Sequence, residues 1–351
     1  MTALVDGPLR DGDQAAMGDL PASFEEPLSG AAMTAVMTAI VNGTMPEAQI
    51  ASCLTALAHR GETAEEITAA AAVLRAHAVS LPLSTREGLC DTCGTGGDGR
   101  STINISTLAA LVAASAGARI VKHGNRAASG RCGSADLLEA LGVNLMATPE
   151  QIARCVEEMG FGFCFAPQFH PAMQRLAPIR KRLAMRTLFN LLGPLTNPAP
   201  LTFQLLGVAE RRLMPIMVEA MQRLGIRHGM VVHGADGLDE ATTTGESEVL
   251  ELREGTIRSW RLDPGALGLP HAQVEALTGS DATHNAVEAR RLLGGQRSAK
   301  RDIVALNAAC VLYVADRAAS LAEGLQRALY TLETGASLTA LDRIKDATHA
   351  R

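Results

Sequence analysis

The chain has little that would send it to a membrane or to a nucleic acid. No apolar run approaches the ~20 residues a spanning helix needs. Residues 1–26 are polar and acidic, with no basic start and no apolar stretch, so they do not read as a secretory signal. The expected location is therefore the cytoplasm. Basic residues are not in excess: 32 Lys and Arg stand against 37 Asp and Glu, a formal net charge of -5. That disfavours a dedicated nucleic-acid binder, because phosphate backbones reward a basic face. There is no disulfide framework either. Seven cysteines in 351 residues, an odd number, read as reduced thiols. Cys90-Asp-Thr-Cys93 lacks the second C-x-x-C that a structural zinc site would need, and reads as packed thiols in a buried strand. Internal repeats and low-complexity tracts are also missing. What remains is 47% apolar and 20% charged, a globular balance with length for roughly two domains and a large core.

Residues 1–27 carry Gly, Pro and Asp without periodicity and read as a flexible tail. Three amphipathic helices are expected next. The first runs from near Ser29 to Gly43. The second starts around Pro46, with Ile50, Cys53, Leu54 and Leu57 on one stripe. The third opens on the capping box Thr63-Ala64-Glu65-Glu66 and carries Ile67, Ala71 and Leu74. Together they form a small helical domain over 28–88, on which helices from about 171–200 would pack. From Leu89 the texture changes to strands alternating with helices, which implies a mostly parallel sheet covered on both faces over 89–351. A polar hairpin is expected around Glu254-Gly255.

Four segments could carry chemistry. Gly94-Thr-Gly-Gly-Asp-Gly99 has four glycines in six residues at a strand-to-helix junction. Glycines let backbone N–H groups approach an anion, and the next helix would point its positive end there. The segment matches G-x-G-x-x-G, but that pattern also wants an acid about twenty residues on, at the end of the second strand. That strand ends instead in Lys122 and His123. No Gly-Lys-Ser/Thr closes the loop, so a nucleotide P-loop is excluded too. A phosphate or diphosphate cradle of another kind survives, against a plain flexible turn. Asn104-Ile105-Ser106-Thr107 reads alone as a helix cap, but beside the loop it offers hydroxyl and amide groups to a phosphate or metal. Lys122-His-Gly-Asn-Arg126, with Ser129-Gly130, places two cations and a histidine at a strand's C-terminal end, expected to be displayed at its tip. Open α/β sheets bind ligands there. Asp236-Gly-Leu-Asp239-Glu240 offers adjacent carboxylates suited to Mg²⁺, with a polar surface loop as the plain alternative. The cations Arg180-Lys181-Arg182 and Arg186 could reach a substrate carboxylate or line a solvated helix face.

These blocks together resemble the anthranilate phosphoribosyltransferases, from about Leu28 to nearly the end. The resemblance rests on Gly94–Gly99, Asn104–Thr107, Lys122–Arg126 and Gly133-Ser-Ala-Asp136. It continues through Phe165-Ala-Pro with His170-Pro171, then Arg186-Thr, Phe189-Asn-Leu-Leu-Gly-Pro-Leu-Thr-Asn-Pro198 and Gly237-Leu-Asp-Glu240. It implies a nucleoside phosphorylase/phosphoribosyltransferase-like fold, a small helical domain joined to a larger α/β domain, with the active site between them. It also implies a homodimer and magnesium-dependent phosphoribosyl transfer to the amine of anthranilate, a step of tryptophan biosynthesis. Phosphoribosyl diphosphate would contact Gly94, Gly97, Asp98, Thr102, Asn104, Ile105, Ser106, Thr107, Lys122, His123, Gly124, Asn125, Arg126, Ala127, Ala128, Ser129, Gly130 and Ser134. Anthranilate would contact Gly94, Asn125 and Arg180. Magnesium would be held by Ser106, Asp239 and Glu240, and His123 is the candidate proton acceptor. Departures from the family pattern are Gly130 in place of a serine, Ala184 where glycine is usual, and Cys93 in place of an apolar residue. A nucleoside phosphorylase, a non-catalytic nucleic-acid-binding relative of the same fold and an NADP-linked oxidoreductase are the competing readings.

Overall fold

A computed structural model describes residues 20–21, 23–127 and 130–350. The helical start forms as its caps dictate. Helix α1 (Gly30–Asn42) begins on Ser29, whose hydroxyl accepts from Ala32 N, and ends on Gly43 in the left-handed region. Helix α2 (Glu47–Arg60) follows, then α3 (Ala64–Ala76), where Thr63 and Glu66 complete a reciprocal capping box. The predicted stripe Ile50, Cys53, Leu54, Leu57 is buried.

Glu66 does more than cap. It is fully buried and accepts from Leu28 N at 2.8 Å, from Thr63 N at 2.9 Å and from Arg60 through both carboxylate oxygens. Burial alone would push its carboxyl up. The Arg60 guanidinium and the two N–H groups outweigh it and hold the group below its ordinary value.

From Leu89 the chain builds a seven-stranded sheet of order β3-β2-β1-β4-β5-β6-β7. The strands are β1 (Leu89–Gly94), β2 (Arg119–Gly124), β3 (Phe161–Phe165), β4 (Phe203–Gly207), β5 (His228–Gly234), β6 (Ser247–Arg253) and β7 (Thr256–Leu262). The first five run parallel, and β6 and β7 close the edge as an antiparallel hairpin turning at Glu254-Gly255. The α/β class and the hairpin agree with the expectation from sequence.

Two apolar clusters lie on the two faces, as the strand period of two requires. Leu89, Val121, Cys164, Leu206 and Val231 face α1–α3 and the segment 169–201. Within that segment run α8 (Ala177–Leu183) and α9 (Leu188–Leu192); α6 (Pro149–Met159), α7 (Ala166–Phe169) and α10 (Met214–Arg223) join the same cluster. Cys90, Ile120, Phe203, Met230 and Val249 face the other way. There they meet α4 (Ile105–Ser115), α5 (Ser134–Ala140) and the C-terminal helices α11 (Ala282–Leu293), α12 (Ala299–Val314), α13 (Leu321–Glu333) and α14 (Ala336–His349). No helix among the described residues is long and apolar enough to cross a membrane.

The hairpin edge is stitched by Glu251, which accepts from His228 Nε2 (3.1 Å), Tyr313 Oη (2.8 Å) and Trp260 Nε1 (2.9 Å). The His228 bond, with help from Tyr313 and Trp260, holds its carboxyl down at about 2 against the push of burial. A carboxyl lowered in the fold from 4.5 to about 2 gives stability that is complete above about 4.5 and lost as pH falls toward 2. Urea unfolding across that window should therefore show a shallower acid loss for Glu251→Gln than for the parent. Glu66→Ala leaves the N–H groups of Leu28 and Thr63 without their acceptor and Arg60 without its carboxylate, though Arg60 keeps Phe24 O and Gly61 O, and should cost about 1–3 kcal/mol of unfolding free energy. An unchanged denaturation midpoint would contradict that account of α3.

Candidate active site at the strand ends

Three stretches distant in sequence meet at the C-terminal ends of β1, β2 and β5. The chain leaves β1 at Gly94, beside Gly207 at the end of β4. A β-carbon on Gly94 would lie 2.1 Å from Asp239 Oδ2, and one on Gly207 would lie 1.6 Å from the Asp239 carbonyl oxygen. Only glycine at both strand ends lets the loop after β5 come this close. Asp239 Oδ2 accepts from Gly96 N at 2.7 Å. Glu240 Oε1 accepts from Ser106 N, in the first turn of α4, at 3.1 Å. Gly96 (φ 68°) and Gly97 (φ 83°) take the left-handed turn that the cradle needs. Asn307 on α12 clamps the far side of the acid pair: it exchanges two hydrogen bonds with the Ala241 main chain, at 3.0 and 2.7 Å.

The acids are crowded. Burial and the neighbouring Asp98 push the Asp239 carboxyl above its ordinary value. Burial and Asp239 push the Glu240 carboxyl up as well, with Lys122 working the other way. Crowded carboxylates with raised values call for a cation. Among the described residues no group of three or more His, Cys, Asp or Glu side chains forms a closed metal cage. Ser106, Asp239 and Glu240 make an open set of oxygen donors, which is how Mg²⁺ is held when substrate phosphates complete its shell.

Other expected site residues are placed differently from the reading of the sequence. Lys122 and His123 are not displayed at a tip. They lie inside β2, 2% and 7% exposed, because the strand runs on to Gly124. Lys122 Nζ donates to Thr92 O (2.6 Å) and to Ser106 Oγ (3.4 Å), so it orients Ser106 from beneath. His123 is on the opposite face. Its Nδ1 donates to Gly193 O at 3.2 Å, its Nε2 is buried without a partner, and burial and His170 lower it to about 3. The N–H at the start of α4, expected to face an anion, is taken by Glu240. Arg126 is held by Asp136 (3.0 Å) and Glu139 (2.7 Å).

Asp136 also accepts from Ala127 N and Gly133 N, which shapes the loop after β2. Ser134 Oγ donates to Asn125 O, and the Asn125 side chain, exposed, accepts from Arg126 N. Asn104 bonds Cys132 O and Asn285, bracing the start of α4. Thr102 pairs with Thr278. Ile105 and Thr107 point into the core, 1% exposed. Ala128 and Ser129 lie outside the described residues, and Gly130, beyond them, is exposed.

Arg180, on α8, is half-buried over the Phe189 ring at 5.6 Å. Burial lowers it, and no carboxylate pairs with it among the described residues. Gly207, Asn307 and the buried bracing of Asp91 by Asn197 (2.8 Å) carry no motif in the sequence. A glycine ending a second strand was the one visible signal. The polar partners sit in otherwise apolar helices or loops, and their bonds cross up to 106 residues of sequence.

The chain matches the model of the glycosyl transferase family a/b domain over residues 86–338, and that of the family's helical bundle domain over 22–78. It is 47% identical over 312 residues to the anthranilate phosphoribosyltransferase of Alkaliphilus metalliredigens, covering 89% of this chain and 92% of the relative. The enzyme of the same name from Thiobacillus denitrificans is 48% identical, with 89% and 91% covered. Among solved structures, anthranilate phosphoribosyltransferase from Thermus thermophilus superposes with a TM-score of 0.88 at 44% identity, covering 97% of this chain and all of that one. The Saccharomyces cerevisiae enzyme, solved in complex with PRPP and Mg, superposes at 0.81 with 27% identity, covering 91% and 92%.

Gly207→Ala is expected to cost about 1–3 kcal/mol, since the added methyl collides with backbone rather than a movable side chain. Gly193→Ala is the control: its β-carbon meets nothing within 4 Å. Thermal unfolding should separate the two, and equal midpoints would refute the close approach.

Proposed function

Because the chain belongs to the anthranilate phosphoribosyltransferases of the glycosyl transferase family, we propose how its own residues divide the reaction. It transfers the phosphoribosyl group of 5-phosphoribosyl 1-diphosphate to the amine of anthranilate and releases diphosphate, in tryptophan biosynthesis. The observation that carries the assignment of roles is the joining of the loop after β5 to the glycine loop and to the start of α4 through two carboxylates, Asp239 to Gly96 N and Glu240 to Ser106 N.

Breaking the C1–O bond leaves positive charge on the ribose and negative charge on the departing diphosphate. The glycine loop from Gly94 to Gly99 and the loop after β2 hold the phosphates through main-chain N–H groups, with Asp98, Asn104, Ser106 and Ser134 shaping their edges. Ser106, Asp239 and Glu240 fit magnesium, which when bound would balance the leaving charge. Lys122 sets the Ser106 hydroxyl and offsets Glu240 from below. Arg180, a half-buried cation without a carboxylate, grips the carboxylate of anthranilate, with Asn125 and Gly94 beside the ring. The aromatic amine is neutral at pH 7 and needs no strong base, so positioning supplies much of the rate. His123, held at about 3, is a poor base at that pH; its donated bond to Gly193 O makes it a fixed neutral wall. We further assign the chain to the cytoplasm, on its seven free cysteines, and to a homodimer, on its resemblance.

The fluorescence of anthranilate should fall when the protein is mixed with phosphoribosyl diphosphate and Mg²⁺, and an unchanged signal would reject the function. Arg180→Ala should raise the anthranilate KM by the worth of a charged hydrogen bond, about 1.5–3 kcal/mol. Asp239→Asn combined with Glu240→Gln should remove magnesium-dependent turnover. Full turnover in that double variant would point instead to a phosphorolytic enzyme that needs no metal.

A further inference from the structure

The diphosphate cradle has an unbalanced charge. Its walls carry Asp98, Asp239 and Glu240, yet the ligand is itself a polyanion. The two cations expected to face it are engaged elsewhere. Lys122 is buried against Thr92 O, and Arg126 is tied to Asp136 and Glu139. Arg100, just after the glycine loop, donates to Asp236 O at 2.6 Å.

One cation does lie on the glycine loop. A β-carbon added to Gly97 would meet Arg186 Nη1 at 3.3 Å, so this guanidinium rests directly on the loop's turn. Its Nη1 pairs with Glu210 Oε1 at 2.8 Å. Glu210 is shared, because its other oxygen accepts from Arg212 at 2.7 Å. Arg186 Nη2 is buried and has no partner among the described residues. A buried, unpartnered donor of a charged group is costly unless something comes to meet it.

We propose that Arg186 is a further diphosphate-binding residue, held over the glycine loop by Glu210 until the ligand arrives. The inference rests on the phosphoribosyl transfer proposed above and adds a residue to that site. The tether is suited to exchange. The Arg186–Glu210 pair is 39% and 34% exposed, and pairs of that kind are worth little. A phosphoryl group offers the planar fork of arginine two acceptors at once, which a carboxylate already shared with Arg212 does not. Release costs Glu210 little, since Arg212 remains its partner. The unpartnered Nη2 gains an acceptor in the same step.

The test is calorimetric titration of inorganic diphosphate, with Mg²⁺, into the full chain and its variants. Arg186→Gln should weaken diphosphate by about ten- to a hundredfold, the worth of a charge-assisted bond. Arg186→Lys, which keeps the charge but loses the fork, should recover part of that. Glu210→Gln frees the guanidinium and should tighten diphosphate. In turnover, Arg186→Gln should raise the KM for phosphoribosyl diphosphate and leave that for anthranilate within about threefold, a split that general loosening of the site does not give. An Arg186→Gln affinity within about twofold of the parent overturns the proposal, as does weaker binding in Glu210→Gln or a parallel rise of both KM values. A parent chain that binds diphosphate without consuming anthranilate defeats the assigned reaction but leaves the Arg186 comparison intact. A parent chain that binds no diphosphate overturns both.

Discussion

Asp239 lies so near the ends of β1 and β4 that no side chain fits between them. That single close approach sets the geometry of the site. The Gly94 and Gly207 strand ends are adjacent in register, so their combined lack of side chains opens one slot in the sheet's rim. The loop after β5 drops into that slot and carries both carboxylates with it. Once there, Asp239 reaches Gly96 N and Glu240 reaches Ser106 N, which fixes the glycine loop and the start of α4 relative to β5. Asn307 closes the arrangement from α12 by holding the next residue, Ala241, through both of its polar atoms. Precision in the site thus comes from main-chain bonds to side-chain acids and amides, on a rigid parallel sheet.

The same arrangement carries an electrostatic cost. Asp98, Asp239 and Glu240 gather where burial and mutual repulsion raise their affinity for protons. Glu66 shows the opposite solution elsewhere in the chain. It is buried too, yet Arg60 and two N–H groups hold it ionised, and it does structural work. Among the described residues no arginine pairs with the acids at the strand ends, and Lys122 is set beneath them at the level of Ser106. A site left short of positive charge in this manner is complementary to a divalent ion that arrives with a phosphorylated ligand.

How much of this could be read from sequence depends on the range of the interaction. Local signals were legible. The capping box at Thr63, the stripe through Ile50 and Leu57 and the hairpin at Gly255 all depend on neighbours within a few residues. The glycine loop and the acid pair were legible as chemistry, because glycine clusters and adjacent carboxylates have few other uses together. The placement of Lys122 and His123 was not. A short apolar run followed by polar residues looks like a strand and its tip, but a strand buried on both faces can take polar residues where a partner waits across the sheet. Here the partners are Thr92 O for Lys122 and Gly193 O for His123, the latter 70 residues away in sequence. Gly207 and Asn307 were invisible for the same reason, since each matters only through a contact with the loop after β5.

One short segment connects the two ends of the site. Arg180 leaves α8 toward the aromatic Phe189, and Arg186 reaches the glycine loop at Gly97. Between them Ala184 ends α8 in the left-handed region, at φ 48°, a conformation that costs a non-glycine residue about 1–2 kcal/mol. The strain is tolerated because the turn is fixed on both sides. Thr187 N and Asn190 form the next cap, and Ile179 and Leu188 are packed beneath it. A helix carrying one cation and a turn carrying another are therefore joined by a link with little freedom. The two cations share a backbone fixed on both sides of Ala184, so each guanidinium can change partner by side-chain rotation without displacing the other.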